Sequence, residues 1–157
     1  VEDQHQGNDM PKIDRFKGKY EFLSNFYPVK ILADGAFYPS VEHAFVAMKT
    51  EDKDIRKQIS ELPTAADAKK FGRKIKIRED WDDIKVAVML NLLIKKFQHD
   101  DLKKRLKNTE GYELIEGNFW HDCYWGNCSC EKCKNIEGQN VLGRLLMKVR
   151  TAICAIK

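Results

Sequence analysis

Glu42 and Lys49 stand seven positions apart in Ser40-Val41-Glu42-His43-Ala44-Phe45-Val46-Ala47-Met48-Lys49. On a helix that step returns to the same face, so a carboxylate and an amine would share it about 10 Å apart along the axis. An acid in the first helical turn is kept ionised by the helix dipole, which suits a base or a group that meets developing positive charge. A lysine on the same face could attack an electrophilic carbon. The pattern fits equally a plain helix-start acid and a solvated lysine. His43 has no visible partner and reads as structural or exposed.

Aromatic and basic residues offer a second chemistry. Trp81 lies in Glu79-Asp80-Trp81-Asp82, and two more tryptophans lie in Trp120-His121-Asp122-Cys123-Tyr124-Trp125-Gly126. Such loops either pack as lids or wall a flat ligand, and Asp122 could set a carboxylate beside Trp125. Arg73, Lys74, Lys76 and Arg78 could contact phosphate or form a simple charged face. Cys123, Cys128, Cys130 and Cys133 crowd into eleven residues. The CxC and CxxC spacings can supply zinc ligands, with His121 as an additional one. A zinc knuckle usually brings two separated pairs, however, so the expectation is reduced thiols and no metal.

The elements that must hold these groups can be read locally. The stretch from about Phe16 to Tyr38 reads as short strands and turns, with Asp34-Gly35 as a hairpin signal and its many aromatics mostly as core. Ser40 caps a helix running to about Lys49. Thr64 and Asp67 open another after Leu62-Pro63, stopped by Gly72. Arg73 to Arg78 reads as a short strand or extended linker. The longest helix starts near Asp80–Asp83 and ends near Phe97, and its apolar residues cover so much of the circumference that it reads as the central core helix. A short helix from Asp101 to Lys107, a strand within Tyr112–Glu116, a loop over 117–140 and a last helix from Val141 toward Ile156 complete the chain.

The 157 residues are 43% hydrophobic and 33% charged, and carry a net charge of +4. That suits one soluble α+β domain, predominantly helical with short strands. It permits an anionic ligand without specifying one. No apolar run is long enough to cross a bilayer, and the polar start has no signal-peptide core. Residues 1–10 read as a non-native remnant or disordered arm ahead of a domain over 11–157. The odd cysteine count and its clustering point to a reducing, cytoplasmic setting.

Several segments, in order, resemble the YbiA-like N-glycosidases of the NADAR superfamily. They are Phe22-Leu23-Ser24-Asn25-Phe26-Tyr27-Pro28, the Tyr38–Lys49 stretch, Gly72-Arg73, Arg78-Glu79-Asp80-Trp81, Lys85-Val86-Ala87-Val88-Met89, Lys95-Lys96-Phe97, Leu114-Ile115-Glu116-Gly117-Asn118, Trp125-Gly126 and the Gly138–Met147 stretch. The resemblance implies a small cytoplasmic enzyme that hydrolyses N-glycosidic bonds and needs no cofactor. Implied substrates are phosphoribosylated pyrimidine intermediates of riboflavin synthesis. The alternatives are ADP-ribose on guanine in nucleic acid, or ADP-ribose or NAD bound without turnover. It implies Glu42, Lys49 and Asp122 as catalytic residues, Lys49 through a covalent ribose intermediate. It implies Asn25, Phe26, Arg73, Arg78, Trp81, Trp125, Gly126 and Asn140 as substrate-binding.

Overall fold

In a computed structural model, residues 10–156 are described, so the expectation for residues 1–9 lies outside them. The chain packs as two compact units, Lys17–Lys104 and a terminal unit made of the segments on either side of it. No helix among the described residues is long and apolar enough to cross a membrane.

The Lys17–Lys104 unit begins with a 3-10 helix, Gly18–Leu23, in place of the expected strand. Phe22 and Leu23 are its buried residues, so two adjacent side chains point inward as a tight helical turn allows and an alternating strand does not. Strands β2 (Ile31–Ala33) and β3 (Ala36–Tyr38) pair antiparallel, Ile31 opposite Tyr38. Asp34 and Gly35 both have positive φ (47° and 81°), the backbone of a two-residue hairpin turn. Of the seven aromatics between Phe16 and Tyr38, only Phe16, Phe22 and Tyr38 are buried; Phe26 and Phe37 face solvent.

Helix α1 (Val41–Ala47) packs against α2 (Lys53–Ser60), α3 (Ala65–Gly72) and α4 (Trp81–Lys96). Each of the first three is opened by a side chain that satisfies otherwise unpaired backbone N–H groups: Ser40 for α1, Asp52 for α2 and Thr64 for α3. Residues 73–78 form turn and irregular chain rather than a strand. Within α4 the buried residues are Trp81, Met89, Leu92, Leu93 and Lys96, while Val86 and Ile94 are 36% and 44% exposed. The helix is therefore one-sided, and the all-round apolar sequence is corrected by where its neighbours lie. Lys96 is fully buried; its Nζ donates to the Ser24 carbonyl at 2.8 Å and lies near the rings of Tyr27 and Phe97. Helix α5 (Asp100–Lys107) follows.

In the terminal unit, β1 (Lys12–Ile13) pairs parallel with β4 (Glu113–Leu114), and β5 (Gly117–Asn118) with β6 (Asn127–Cys128). Helix α6 (Val141–Ala155) lies on β4. Gly143 makes that approach possible: a Cβ there would fall 2.1 Å from the Leu114 carbonyl oxygen. The buried Arg150 ties α6 to the preceding turn by donating to the carbonyls of Thr109 (2.7 Å) and Tyr112 (2.8 Å).

His43 is 1% exposed and bonded at both ring nitrogens, to Ser40 Oγ at 2.6 Å and to the Leu62 carbonyl at 3.0 Å. A carbonyl only accepts, so Nε2 carries the proton and Nδ1 accepts from the Ser40 hydroxyl, which in turn accepts the His43 backbone N–H. Burial pushes the imidazole pKa below its ordinary 6.5. The unfolded chain thus takes up this proton first as pH falls. The contribution is whole above pH 6.5 and is lost as pH drops toward the lowered folded value. Urea unfolding between about pH 7.5 and about pH 5 should show a steeper loss of stability in the wild type than in His43→Gln. Equal slopes would show that His43 does not titrate on unfolding.

Candidate active site

Glu42 occupies the first turn of α1 and is half-buried, its backbone N–H donating to the Asn25 carbonyl at 3.0 Å. Asn25 is itself buried. Its Nδ2 lies 3.6 Å from Met89 Sδ, and its Oδ1 is buried without a hydrogen-bond partner among the described residues. A buried amide oxygen without a donor costs free energy unless a ligand or water supplies one. The Phe22–Pro28 segment thus places an acceptor beside the start of α1.

Lys49 follows α1, its backbone N–H bonded to the Val46 carbonyl (3.1 Å) and its own carbonyl accepting from Arg78 N–H (2.8 Å). Its ammonium lies 5.7 Å from the Phe45 ring centroid. Burial lowers its pKa; Glu42 opposes that shift, while Lys69 and Lys85 add to it. Three charged groups, from α1, α3 and α4, therefore act on Lys49. Glu42 and Lys49 are the pair that the seven-residue step expected on one face. Lys69 went unnoticed in the sequence, and Lys85 had no role assigned there. The Lys85-Val86-Ala87-Val88-Met89 match pointed to Lys85, but only the packing of α3 and α4 on α1 brings both lysines to Lys49.

Trp81 is 7% exposed and packs on Phe45 with ring centroids 5.0 Å apart and planes tilted by 57°. It backs Phe45, the ring nearest the Lys49 ammonium. Phe26 is different: it is 41% exposed, with Lys69 Nζ 5.8 Å from its centroid. Arg78 is committed to carboxylates, with Nε 2.6 Å and Nη2 3.0 Å from the two oxygens of Asp80 and a further ion pair to Glu51 at 2.9 Å. Its guanidinium fork is thus occupied by protein acids. Arg73 follows α3 and is exposed.

In the terminal unit, Asp122 Oδ1 accepts the backbone N–H groups of Tyr124 (3.1 Å) and Trp125 (2.9 Å). The carboxylate folds its own loop into a turn and sets the backbone of Trp125, whose ring meets Tyr124 edge-on at 5.0 Å. Asn118, 2% exposed, holds Asp122 from the other side, donating to its carbonyl at 2.8 Å and accepting its N–H at 3.2 Å. Gly126 has no room for a side chain, because a Cβ would meet the Glu116 carbonyl oxygen at 2.1 Å. Asn140 has φ 49°; its Oδ1 accepts from Glu116 N–H (3.0 Å) and its Nδ2 donates to the Leu114 carbonyl (2.8 Å). Both ends of that amide bind the chain's own backbone. The first N–H groups of α6, from Val141 and Leu142, donate to the carbonyls of Tyr124 and Trp125, each at 3.0 Å.

A carboxylate acting on a lysine of lowered pKa, with aromatic surface and further cations near that lysine, can stabilise a cationic sugar carbon, hold an anionic group and supply a nucleophilic amine. Comparisons with known proteins bear on the family of the chain. The family model described as NADAR domain matches residues 13–154. The N-glycosidase YbiA of Escherichia coli (strain K12) is 34% identical over 141 residues, covering 88% of this chain and 84% of that protein. The Nostoc punctiforme N-glycosidase Npun_R5314 is 35% identical over 140 residues, covering 85% and 86%. A Vibrio vulnificus protein named as a riboflavin biosynthesis protein is 36% identical over 132 residues, covering 82% of this chain; the chain spans only 34% of that relative's length. The NMR structure of E. coli YbiA superimposes with a TM-score of 0.77 at 32% identity, covering 93% of this chain and 87% of that one. The α+β architecture of helices and short strands is the one this neighbour shares, and the chain belongs to the NADAR domain family.

Proposed function

We propose that the substrate of this N-glycosidase is a base N-linked to a phosphorylated ribose, of the kind found among aminopyrimidine intermediates of riboflavin synthesis. The observation that carries the proposal is Glu42 in the first turn of α1 and Lys49 just past its end, with α3 and α4, the helices of Lys69 and Lys85, packed on α1. The names of the relatives, N-glycosidase and riboflavin biosynthesis protein, support the reaction and the substrate class.

Each residue has a chemical task in this reading. Burial and the two neighbouring lysines favour the neutral, nucleophilic form of Lys49. Its Nζ bonds to the anomeric carbon as the carbon–base bond breaks, and the proton shed by the amine passes by way of Glu42 to the departing base. While the carbon carries positive charge, the Glu42 carboxylate stabilises it. The ring carbon–oxygen bond then opens to an imine on Lys49 and the ring oxygen takes a proton. Water adds to the imine carbon and the amine leaves, so the net change is one water consumed, with base and sugar released. Lys69 and Lys85, the second also paired with Asp82 at 3.2 Å, hold the phosphate as point charges, while Nε and Nη2 of Arg78 pair with Asp80 and Glu51. Phe26 offers its exposed face to the base and Asn25 Oδ1 accepts from a substrate hydroxyl or amine.

Incubation with phosphoribosylaminopyrimidines, ADP-ribosylated guanosine and NAD, followed by mass detection of freed base and sugar, tests the substrate. Release from the first alone is expected; release only from ADP-ribosylated guanosine would assign the chain to the other chemistry. Glu42→Gln should slow turnover by about 10²–10³-fold, the loss of roughly 3–4 kcal/mol of transition-state stabilisation, with a smaller effect on substrate binding. Borohydride added during turnover should trap the sugar on Lys49, and Lys49→Ala should lose both adduct and activity. An active Lys49→Ala protein would remove the imine route.

The pH profile checks the assigned electrostatics separately. Turnover should rise with pH as Lys49 loses its proton, with a midpoint below the ordinary 10.5. Removing a like charge raises a lysine pKa and removing an opposite charge lowers it. Lys69→Ala and Lys85→Ala should therefore move the midpoint up and raise KM, while Glu42→Gln should move it down. A midpoint unmoved by all three would detach Lys49 from the rate.

A further inference from the structure

The Cys-rich loop, which the reaction does not use, brings a histidine into its thiols. His121 Nδ1 and the sulfurs of Cys128, Cys130 and Cys133 all lie within 4.8 Å of one another. The imidazole nitrogen is 3.2 Å from Cys130 Sγ and 3.5 Å from Cys133 Sγ. Zinc held at about 2.3 Å from sulfur and about 2.0–2.1 Å from nitrogen in a tetrahedron needs donor–donor edges of roughly 3.5–3.8 Å. The two nitrogen–sulfur distances are close to that figure, and no pair of the four atoms lies more than 4.8 Å apart. We propose that His121, Cys128, Cys130 and Cys133 form a structural zinc site.

The backbone around the cluster is built toward the sulfurs. The N–H groups of His121 and Cys130 point at Cys128 Sγ, at 3.3 and 3.5 Å, the contacts that stabilise a thiolate. A turn closes Cys130 to Cys133, with Cys133 N–H on the Cys130 carbonyl at 3.1 Å. His121 adopts a left-handed backbone, φ 71°, a conformation that costs a non-glycine residue energy and persists only where its surroundings hold it. Asn118 Oδ1 holds it by accepting the N–H groups of Trp120 and Asp122, one on each side. That arrangement turns the imidazole to the thiols and the next residue's carboxylate to the Trp125 turn.

The sequence offers His121 as an additional ligand, but the expectation is a metal-free loop because the thiols form one compact group instead of two separated pairs. The structure brings His121, seven residues upstream of Cys128, to those thiols. Three sulfurs and one nitrogen suit zinc, which takes thiolate and imidazole in tetrahedral sites. With four protein ligands the metal has no open position, so its role is to fix the loop and not to activate water. Cys123, although beside Cys133, stands outside the set.

Purification of the full chain without added metal, followed by elemental analysis, should give about one zinc per chain. After chelation, titration with cobalt(II) should produce sulfur-to-cobalt charge transfer and the intense visible bands of a tetrahedral thiolate site. Cys130→Ser, Cys133→Ser and His121→Ala should each lower metal affinity at least tenfold, whereas Cys123→Ser and Cys154→Ser should keep it. Circular dichroism of the chelated wild type separates loss of metal from loss of fold. Zinc below about a tenth per chain with no cobalt spectrum would overturn the proposal. So would an intact mass two hydrogens light from a disulfide among these cysteines, or metal lost from Cys123→Ser and retained by His121→Ala.

Discussion

An imidazole can be buried without charge only if each ring nitrogen finds a partner of the right kind. For His43 those partners come from both flanks of α1: the Ser40 hydroxyl that opens the helix and the Leu62 carbonyl that ends the α2 segment. The same hydroxyl caps the helix, so one proton arrangement sets where α1 begins and which segment lies against it. Six of the seven residues of α1 are buried, and Glu42 is the exception. A helix locked this way leaves its second residue one place to go, toward Asn25 and the lysine that follows the helix. The candidate chemistry depends on that constraint, because Glu42 lies in α1 and Lys49 just beyond its end.

The lysines of the Lys17–Lys104 unit show how environment separates structure from reactivity. Lys96 is the more deeply buried, and its Nζ donates to the Ser24 carbonyl and lies near two aromatic rings, so its amine is committed to packing. Lys49 lies near the Phe45 ring, with one carboxylate favouring its charge while burial and two ammonium groups oppose it. Burial alone does not make a nucleophile; burial with like charges nearby does. Lys95 and Lys96 share the last turn of α4, where Lys95 donates to the Leu32 carbonyl at 2.7 Å and Lys96 enters the core.

What could be read in advance divides along the range of the forces involved. The Asp34-Gly35 hairpin and the Ser40 and Thr64 caps depend on neighbours within three or four residues, and each lies where its local chemistry puts it. Helix α2 carries only Ile55 and Ile59 among polar residues and has Asp52 as its cap, a local signal that the sequence reading passed over. The Gly18–Leu23 turn and the solvent-facing side of α4 depend on tertiary packing, which propensity and periodicity do not report. The site divides in the same way. Helical spacing paired Glu42 with Lys49, whereas Lys69, Lys85 and the occupied fork of Arg78 required knowing which helices meet and where the 78–80 turn folds back.

The terminal unit meets a different demand. The segment between β5 and α6 has little regular structure, and Phe119, Trp120 and Ile136 are each about half exposed, so apolar burial does little to offset the entropy of ordering it. Its order comes from polar side chains bound to its own backbone: Asn118 around Asp122, Asp122 around Trp125, and Asn127 Oδ1 accepting Gly138 N–H at 2.9 Å. Such bonds are individually worth little against water. They become decisive where a cross-link removes alternatives from the unfolded chain, and the most effective place is between points that close a loop. His121 lies on one side of the Asp122 turn, and the three cysteines of the cluster follow on the other. A metal joining them would encircle Asp122 and Trp125, so the loop that positions these two residues would owe its shape to the ion and not to a core.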